Sequence, residues 1–132
     1  MTRRGFLAPA LATLTAACSP LGALNALAPR DPGVRRVARD LEYGPNPRNR
    51  FDLYAPTDTG TARLPVLVFF YGGGWDSGEK GLYAWAAHAL AARGFLVAVP
   101  DYRVSPEVHF PLFIEDAAAA TARVADVAAR YN

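Results

Sequence analysis

Pro65-Val-Leu-Val-Phe-Phe-Tyr-Gly-Gly-Gly-Trp-Asp-Ser-Gly78 decides how this chain is read. Residues 66–70 are all apolar and rich in β-branched and aromatic side chains, as in a strand buried on both faces of a parallel sheet. Gly72, Gly73 and Gly74 then stand at the C-terminal end of that strand, where open α/β sheets bind their ligands. Lacking Cβ atoms, glycines let backbone amides approach an anion or a developing oxyanion. Glycines alone also suit a tight strand-to-loop turn with no chemistry, so the flanking sequence has to decide.

Towards the C-terminus, Leu82 to Arg93 reads as a helix with Ala86, Ala87, Leu90 and Ala91 along one stripe, stopped by Gly94. Phe95 to Val99 is the next buried strand, and a strand–helix–strand unit of this length predicts two parallel strands, adjacent or nearly so. The last helix is expected from about Pro111, with Glu115 and Asp116 early in it. Its expected packing face is Ile114, Ala117, Ala118, Thr121, Val124, Ala125 and Ala128. Towards the N-terminus, Val34–Tyr43 and Arg50–Tyr54 alternate as an antiparallel pair at a sheet margin, turned by Asn46-Pro-Arg-Asn49. The whole predicts an α/β chain with a mostly parallel sheet, an antiparallel N-terminal strand pair and flanking helices.

Tyr71-Gly-Gly-Gly-Trp75, Gly78-Glu-Lys80, Gly94 to Arg103, Ser105-Pro-Glu107, Phe110-Pro111 and Glu115-Asp116 follow one another in order, preceded by Asp52-Leu-Tyr-Ala-Pro56. In this order and spacing they resemble the α/β-hydrolase superfamily, in its carboxylesterase and feruloyl-esterase-like branch, over roughly residues 41–132. The resemblance implies the N-terminal half of such a fold, a small carboxylic ester as substrate, no cofactor, and an oxyanion hole that includes the amides of Gly73 and Gly74 and extends to Trp75. It also implies that Tyr71, Gly72, Asp101 and Arg103 support the loop, with Asp101, Arg103 and Glu107 tying it together and Tyr102 and Phe110 packed beneath. The loop of this family usually opens with His where Tyr71 stands.

A nucleophile is missing from this pattern. Acyl transfer in this family needs a serine in G-x-S-x-G, then an acid, then a histidine. Ser19, Ser77 and Ser105 lack the flanking glycines, and His88 and His109 precede the expected elbow position. Both histidines read as packing or surface residues. The chain by itself is expected to be inactive, with an apolar strand edge left open.

Two other classes stay open on sequence alone. Gly72 to Ser77 approaches the dinucleotide fingerprint, with Asp101 in the place of a ribose-binding acid. Against it, Gly78 and Gly81 delay the helix, and two strands precede the supposed first one. The other is an α/β fragment that binds without catalysis. A P-loop fails because Lys80 follows Glu79 and precedes Gly81.

Residues 1–28 are expected to be an export signal. Thr2-Arg-Arg-Gly-Phe-Leu7 is similar to a twin-arginine motif, and no charge follows through Ala17. Leu14-Thr-Ala-Ala-Cys18 is similar to a bacterial lipoprotein box with Leu one position early, which leaves lipidation at Cys18 and an unlipidated tail as alternatives. Residues 29–33 follow as a linker and 34–132 as the truncated hydrolase domain. The expected location is the periplasm or cell envelope, with any membrane contact through the lipid anchor. With Arg3 and Arg4 set aside, the remaining 12 basic and 12 acidic residues balance, which gives no argument for nucleic acid. The arginines at 30, 35, 36, 39, 48 and 50 are expected on a solvated strand face. A single cysteine excludes an internal disulfide, and no spacing points to a metal site.

Overall fold

The computed structural model describes residues 19–132. Its elements are α1 (Pro20–Leu27), β1 (Val34–Glu42), β2 (Arg50–Pro56), β3 (Val66–Val68), a 3-10 turn (Lys80–Tyr83), α2 (Ala84–Ala91), β4 (Leu96–Pro100) and α3 (Leu112–Ala128). The four strands form one mixed sheet in the order β1-β2-β4-β3. β1 and β2 pair antiparallel at one margin, β2 pairs antiparallel with β4, and β3 runs parallel to β4. Within these elements the two apolar strands are therefore parallel and adjacent, as the crossover requires.

Side chains alternate between sheet faces, and that alternation builds two cores. Tyr54, Val97 and Val99 pack with Ala87 and Ala91 of α2, Tyr71 and Tyr102. Phe51, Leu53, Ala55, Leu96 and Ala98 pack with Val124, Val127 and Ala128 of α3. Helices thus cover both faces. β2, expected as a marginal strand, is buried from Phe51 to Ala55 because β4 flanks it on the side away from β1. Its buried Asp52 accepts from the Asp40 amide (3.0 Å), Arg36 (3.3 Å) and Lys80 Nζ (2.8 Å). Burial alone would lower the Lys80 pKa, but the hydrogen bonds to Asp40 and Asp52 outweigh it and raise it.

Three expectations change. The strand expected at 66–70 covers only Val66–Val68 and is an edge among the described residues; Val66 is 42% exposed. Phe69 continues the pairing with one further bond to the Ala98 carbonyl (2.8 Å). On α3 the buried residues are Phe113, Asp116, Ala120, Val124, Val127 and Ala128, while Ile114 is 49% exposed and Ala118, Thr121 and Ala125 face solvent. Aromatic stacking at Phe113 and an ion pair at Asp116 rotate the helix away from its most apolar stripe. Phe110, expected beneath the loop, is 77% exposed.

Gly94, at φ 91, follows the C-terminus of α2 as expected. Pro32 and Gly33 form a turn closed by the Val34 amide on Asp31 O (3.1 Å), and Thr57 donates to Gly33 O through N–H (2.7 Å) and Oγ1 (3.1 Å). α1 lies inside the span expected to be export signal; residues 1–17 and Cys18 lie outside the described residues. No helix among the described residues is long and apolar enough to cross a membrane.

Candidate functional site

β3 leads through Phe69 and Phe70 into Tyr71-Gly-Gly-Gly-Trp75, and this loop lies at the same end of the sheet as Asp101, which follows parallel β4. Gly72 to Ser77 are exposed. Gly73, Gly74 and Trp75 all have positive φ, at 145°, 62° and 67°. A Cβ on Gly73 would stand 2.4 Å from Ser77 O, so a side chain has no room there. Trp75 occupies the left-handed region that costs most residues about 1 kcal/mol or more. Its indole offsets this by stacking on Phe113 of α3 (5.2 Å, 18°) and leaning on Tyr102 (5.3 Å, 59°). Its carbonyl accepts from the Ser105 amide (2.8 Å). The amides of Gly73, Gly74 and Trp75 donate to no acceptor among the described residues.

Both ends of the loop are clamped. Tyr71 is buried between Tyr83 (4.9 Å, 12°) and Tyr102 (4.9 Å, 25°). Its hydroxyl donates to Asp101 Oδ1, which also accepts from the Lys80 amide (2.7 Å). Tyr102 OH returns to Tyr71 O (2.6 Å). Burial first, and then the hydrogen bond to Asp101, push the Tyr71 phenol far above its ordinary pKa, so it stays a donor at any physiological pH. Arg48 reaches in from the β1–β2 turn: Nη2 donates to Gly78 O (2.6 Å) and Tyr71 OH (3.3 Å), and Nε to Tyr102 O (2.8 Å). One guanidinium therefore joins the residue before the loop, the residue after it and the β4 exit. Arg48 is half-buried here, unlike the solvated arginine expected from sequence.

Asp101 thus supports the loop through Tyr71 and the Lys80 amide. Arg103 acts one step away: its guanidinium makes a two-pronged pair with buried Asp116 (2.7 and 3.0 Å), which also accepts from the Arg103 amide (2.9 Å). Burial alone would raise the Asp116 pKa; the hydrogen bonds from Arg103 outweigh it and hold the carboxyl below the usual range. Glu107 bonds Asn46 of the β1–β2 turn (2.6 Å) and leaves Asp101 and Arg103 alone.

Among the described residues no serine or histidine beside the loop is arranged as an activated nucleophile and base. Ser77 Oγ spends its contacts on Gly73 O (3.2 Å) and Asp76 (2.8 Å). His88 lies edge-on to Tyr54 (5.5 Å) on α2, its pKa lowered by burial and then by Arg30. His109 is exposed. Among the described residues no three His, Cys, Asp or Glu side chains are grouped to hold a metal ion. The dinucleotide reading requires a helix opening inside the glycine loop, and α2 begins only at Ala84.

The BD-FAE family model matches residues 51–132. The chain belongs to this family. The chain is 39% identical over 83 residues to an isoprenylcysteine alpha-carbonyl methylesterase of Arabidopsis thaliana, a match covering 63% of the chain and 19% of that protein. It is 35% identical over 85 residues to esterase LipC of Mycobacterium tuberculosis, covering 64% and 21%. Among solved structures, esterase B from Lactobacillus rhamnosis superposes with TM-score 0.73 at 25% identity, over 79% of the chain and 33% of that structure. A hormone-sensitive-lipase homologue, EstE7, from a metagenome library gives TM-score 0.65 at 25% identity, over 83% and 35%. The BD-FAE chain thus has an α/β-hydrolase, esterase-like fold and spans about a fifth to a third of the length of these relatives.

Proposed function

We propose that this chain supplies the oxyanion-receiving part of a carboxylic-ester hydrolase, with the amides of Gly73, Gly74 and Trp75 as donors. The observation that carries the reading is a loop whose ends are fixed by Arg48, Tyr71, Asp101 and Tyr102, while Gly73, Gly74 and Trp75 are exposed and their N–H groups unpaired among the described residues. Attack on an ester carbonyl converts its oxygen into an alkoxide, and donors held in place beforehand stabilise that charge without reorganising. Each such donor lowers the barrier by roughly 3 to 4 kcal/mol. Proton transfer and nucleophilic attack need a serine, a histidine and an acid in one constellation, and the pattern that carries them is not in this sequence. The substrate is a small carboxylic ester, reached outside the cytoplasm after export, with Cys18 the residue at which a lipid anchor would attach.

Purified chain should hydrolyse p-nitrophenyl acetate no faster than a Gly73→Pro, Gly74→Pro control. Turnover well above that control sinks the claim that the nucleophile is lacking. Supplying an in-frame downstream segment with G-x-S-x-G should restore activity. In that active form Gly74→Pro, which removes the amide donor and cannot adopt φ 62°, should lower kcat at least about 10²-fold; an unchanged kcat would remove the loop from the mechanism.

A further inference from the structure

We infer that the mature protein keeps α1, so that processing of the export signal falls before Ser19 and not after Ala28. Two places compete in the sequence. Ala26-Leu-Ala28 fits a small-residue cleavage pattern, and so does the small-residue stretch that ends at Ala17.

The contacts of α1 separate them. The helix has a complete start: Ser19 Oγ accepts from the Gly22 amide (2.9 Å) and Pro20 occupies its first turn. Asn25 then joins α1 to the rest of the fold through both ends of its amide. Nδ2 donates to Gly81 O (3.0 Å), and Oδ1 accepts from the Trp85 amide (3.4 Å). The Trp85 amide belongs to the first turn of α2, where helices leave N–H groups without partners, and Tyr83 at that terminus offers no side-chain cap. Asn25 therefore caps α2 from another helix. Arg30 Nη2 in turn donates to Asn25 O (3.1 Å), tying α1 to the turn before β1.

A cut after Ala28 removes Ser19 and Asn25 with the helix and takes their partner from the Arg30 guanidinium, the exposed Gly81 carbonyl and the partly buried Trp85 amide, in the segment that returns the chain from the glycine loop to α2. A cut before Ser19 removes none of them. α1 is thus part of the folded domain, although it lies in a stretch with no charged residue from Gly5 to Pro29. The inference rests on the export reading of the N-terminus and is independent of the esterase reading.

The test is to express the full chain in a bacterium with both general export routes and to recover it from the cell envelope. Intact mass and N-terminal fragment mass then identify the first residue. Cys18, free or carrying an acyl mass, or Ser19 as first residue is the expected result. Pro29 as first residue, or Met1 or Thr2 retained in all recovered protein, overturns the inference. Asn25→Ala should leave the cleavage position unchanged and lower the amount of mature protein several-fold, because a modest loss of stability is amplified by proteolysis in cells. Mature protein at the level of the unsubstituted chain would show that the Asn25 contacts are not what retains the helix.

Discussion

Replacing Arg48 by Ala tests the clamp more directly than any change in the glycines. The substitution strips the charged donor from Gly78 O at 2.6 Å and from Tyr102 O at 2.8 Å, and leaves Tyr71 OH still bonded to Asp101. A buried carbonyl left unpaired costs about 1 to 3 kcal/mol. Tyr102 is buried and Gly78 half-buried, so water recovers part of the second loss; the expected total is about 2 to 3 kcal/mol. The assay is urea unfolding at high dilution, where strand-edge association is suppressed, followed by the fluorescence of Trp75 and Trp85. With a urea m-value of about 2 kcal/mol/M, the midpoint should fall by roughly 1 to 1.5 M. Arg48→Lys should recover about half of that, because an ammonium reaches one carbonyl but lacks the planar fork. Arg39→Ala is the control: its ion pair with Asp40 is at the surface and should be worth less than about 0.5 kcal/mol. A midpoint for Arg48→Ala indistinguishable from that of Arg39→Ala would refute the claim that Arg48 holds the loop.

Other outcomes follow from the same geometry. Gly78→Ala should destabilise by about 2 kcal/mol or more, since φ is +104° and the new Cβ would lie 2.7 Å from Cε2 of the stacked, buried Tyr71; Gly72→Ala meets nothing within 4 Å and should change the midpoint little. Because the folded Asp116 carboxyl is held below the ordinary value, its stabilising contribution is full above about pH 3.9 and is lost as the pH falls through the lower folded pKa. Unfolding measured from pH 5 down to 2 should therefore show a shallower loss in Asp116→Asn, from a lower starting stability, than in the unsubstituted chain; parallel curves would contradict the ion pair's role. Val66→Lys on the open edge of β3 should reduce concentration-dependent association in light scattering, because a charge on an edge strand opposes further pairing. Equal scattering would mean that the edge is not the sticking surface.

Much of the fold is legible locally. Five apolar residues, three glycines, an alanine-striped helix and a second apolar run follow periodicities that hold for any chain, and β3, α2 and β4 stand in that order and orientation. Asp101 stands out as the first residue after a buried strand and is given a loop role by the resemblance, but its partners, Tyr71 and the Lys80 amide, are not foreseen. What misled was hydrophobic pattern taken without its partners. The apolar stripe of α3 put Ile114 inward, whereas the stack of Phe113 on Trp75 and the pairing of Asp116 with Arg103 turn it out. Arg48 gave no local signal at all: it stands in a turn among other arginines, and its partners lie 23 to 54 residues away.

The sequence by itself determined that a glycine loop follows a strand, because Gly73 and Gly74 adopt positive φ at little cost and Gly73 leaves no room for a side chain. It also determined that no serine nucleophile of the expected kind accompanies that loop. Only the tertiary structure decided that the loop is tied at both ends, by Arg48, Tyr71 and Tyr102, and that α1 is joined to the segment before α2 through Asn25. Those contacts depend on which distant groups packing leaves facing one another across the ends of β3 and β4. Residue order along the chain carries no trace of that.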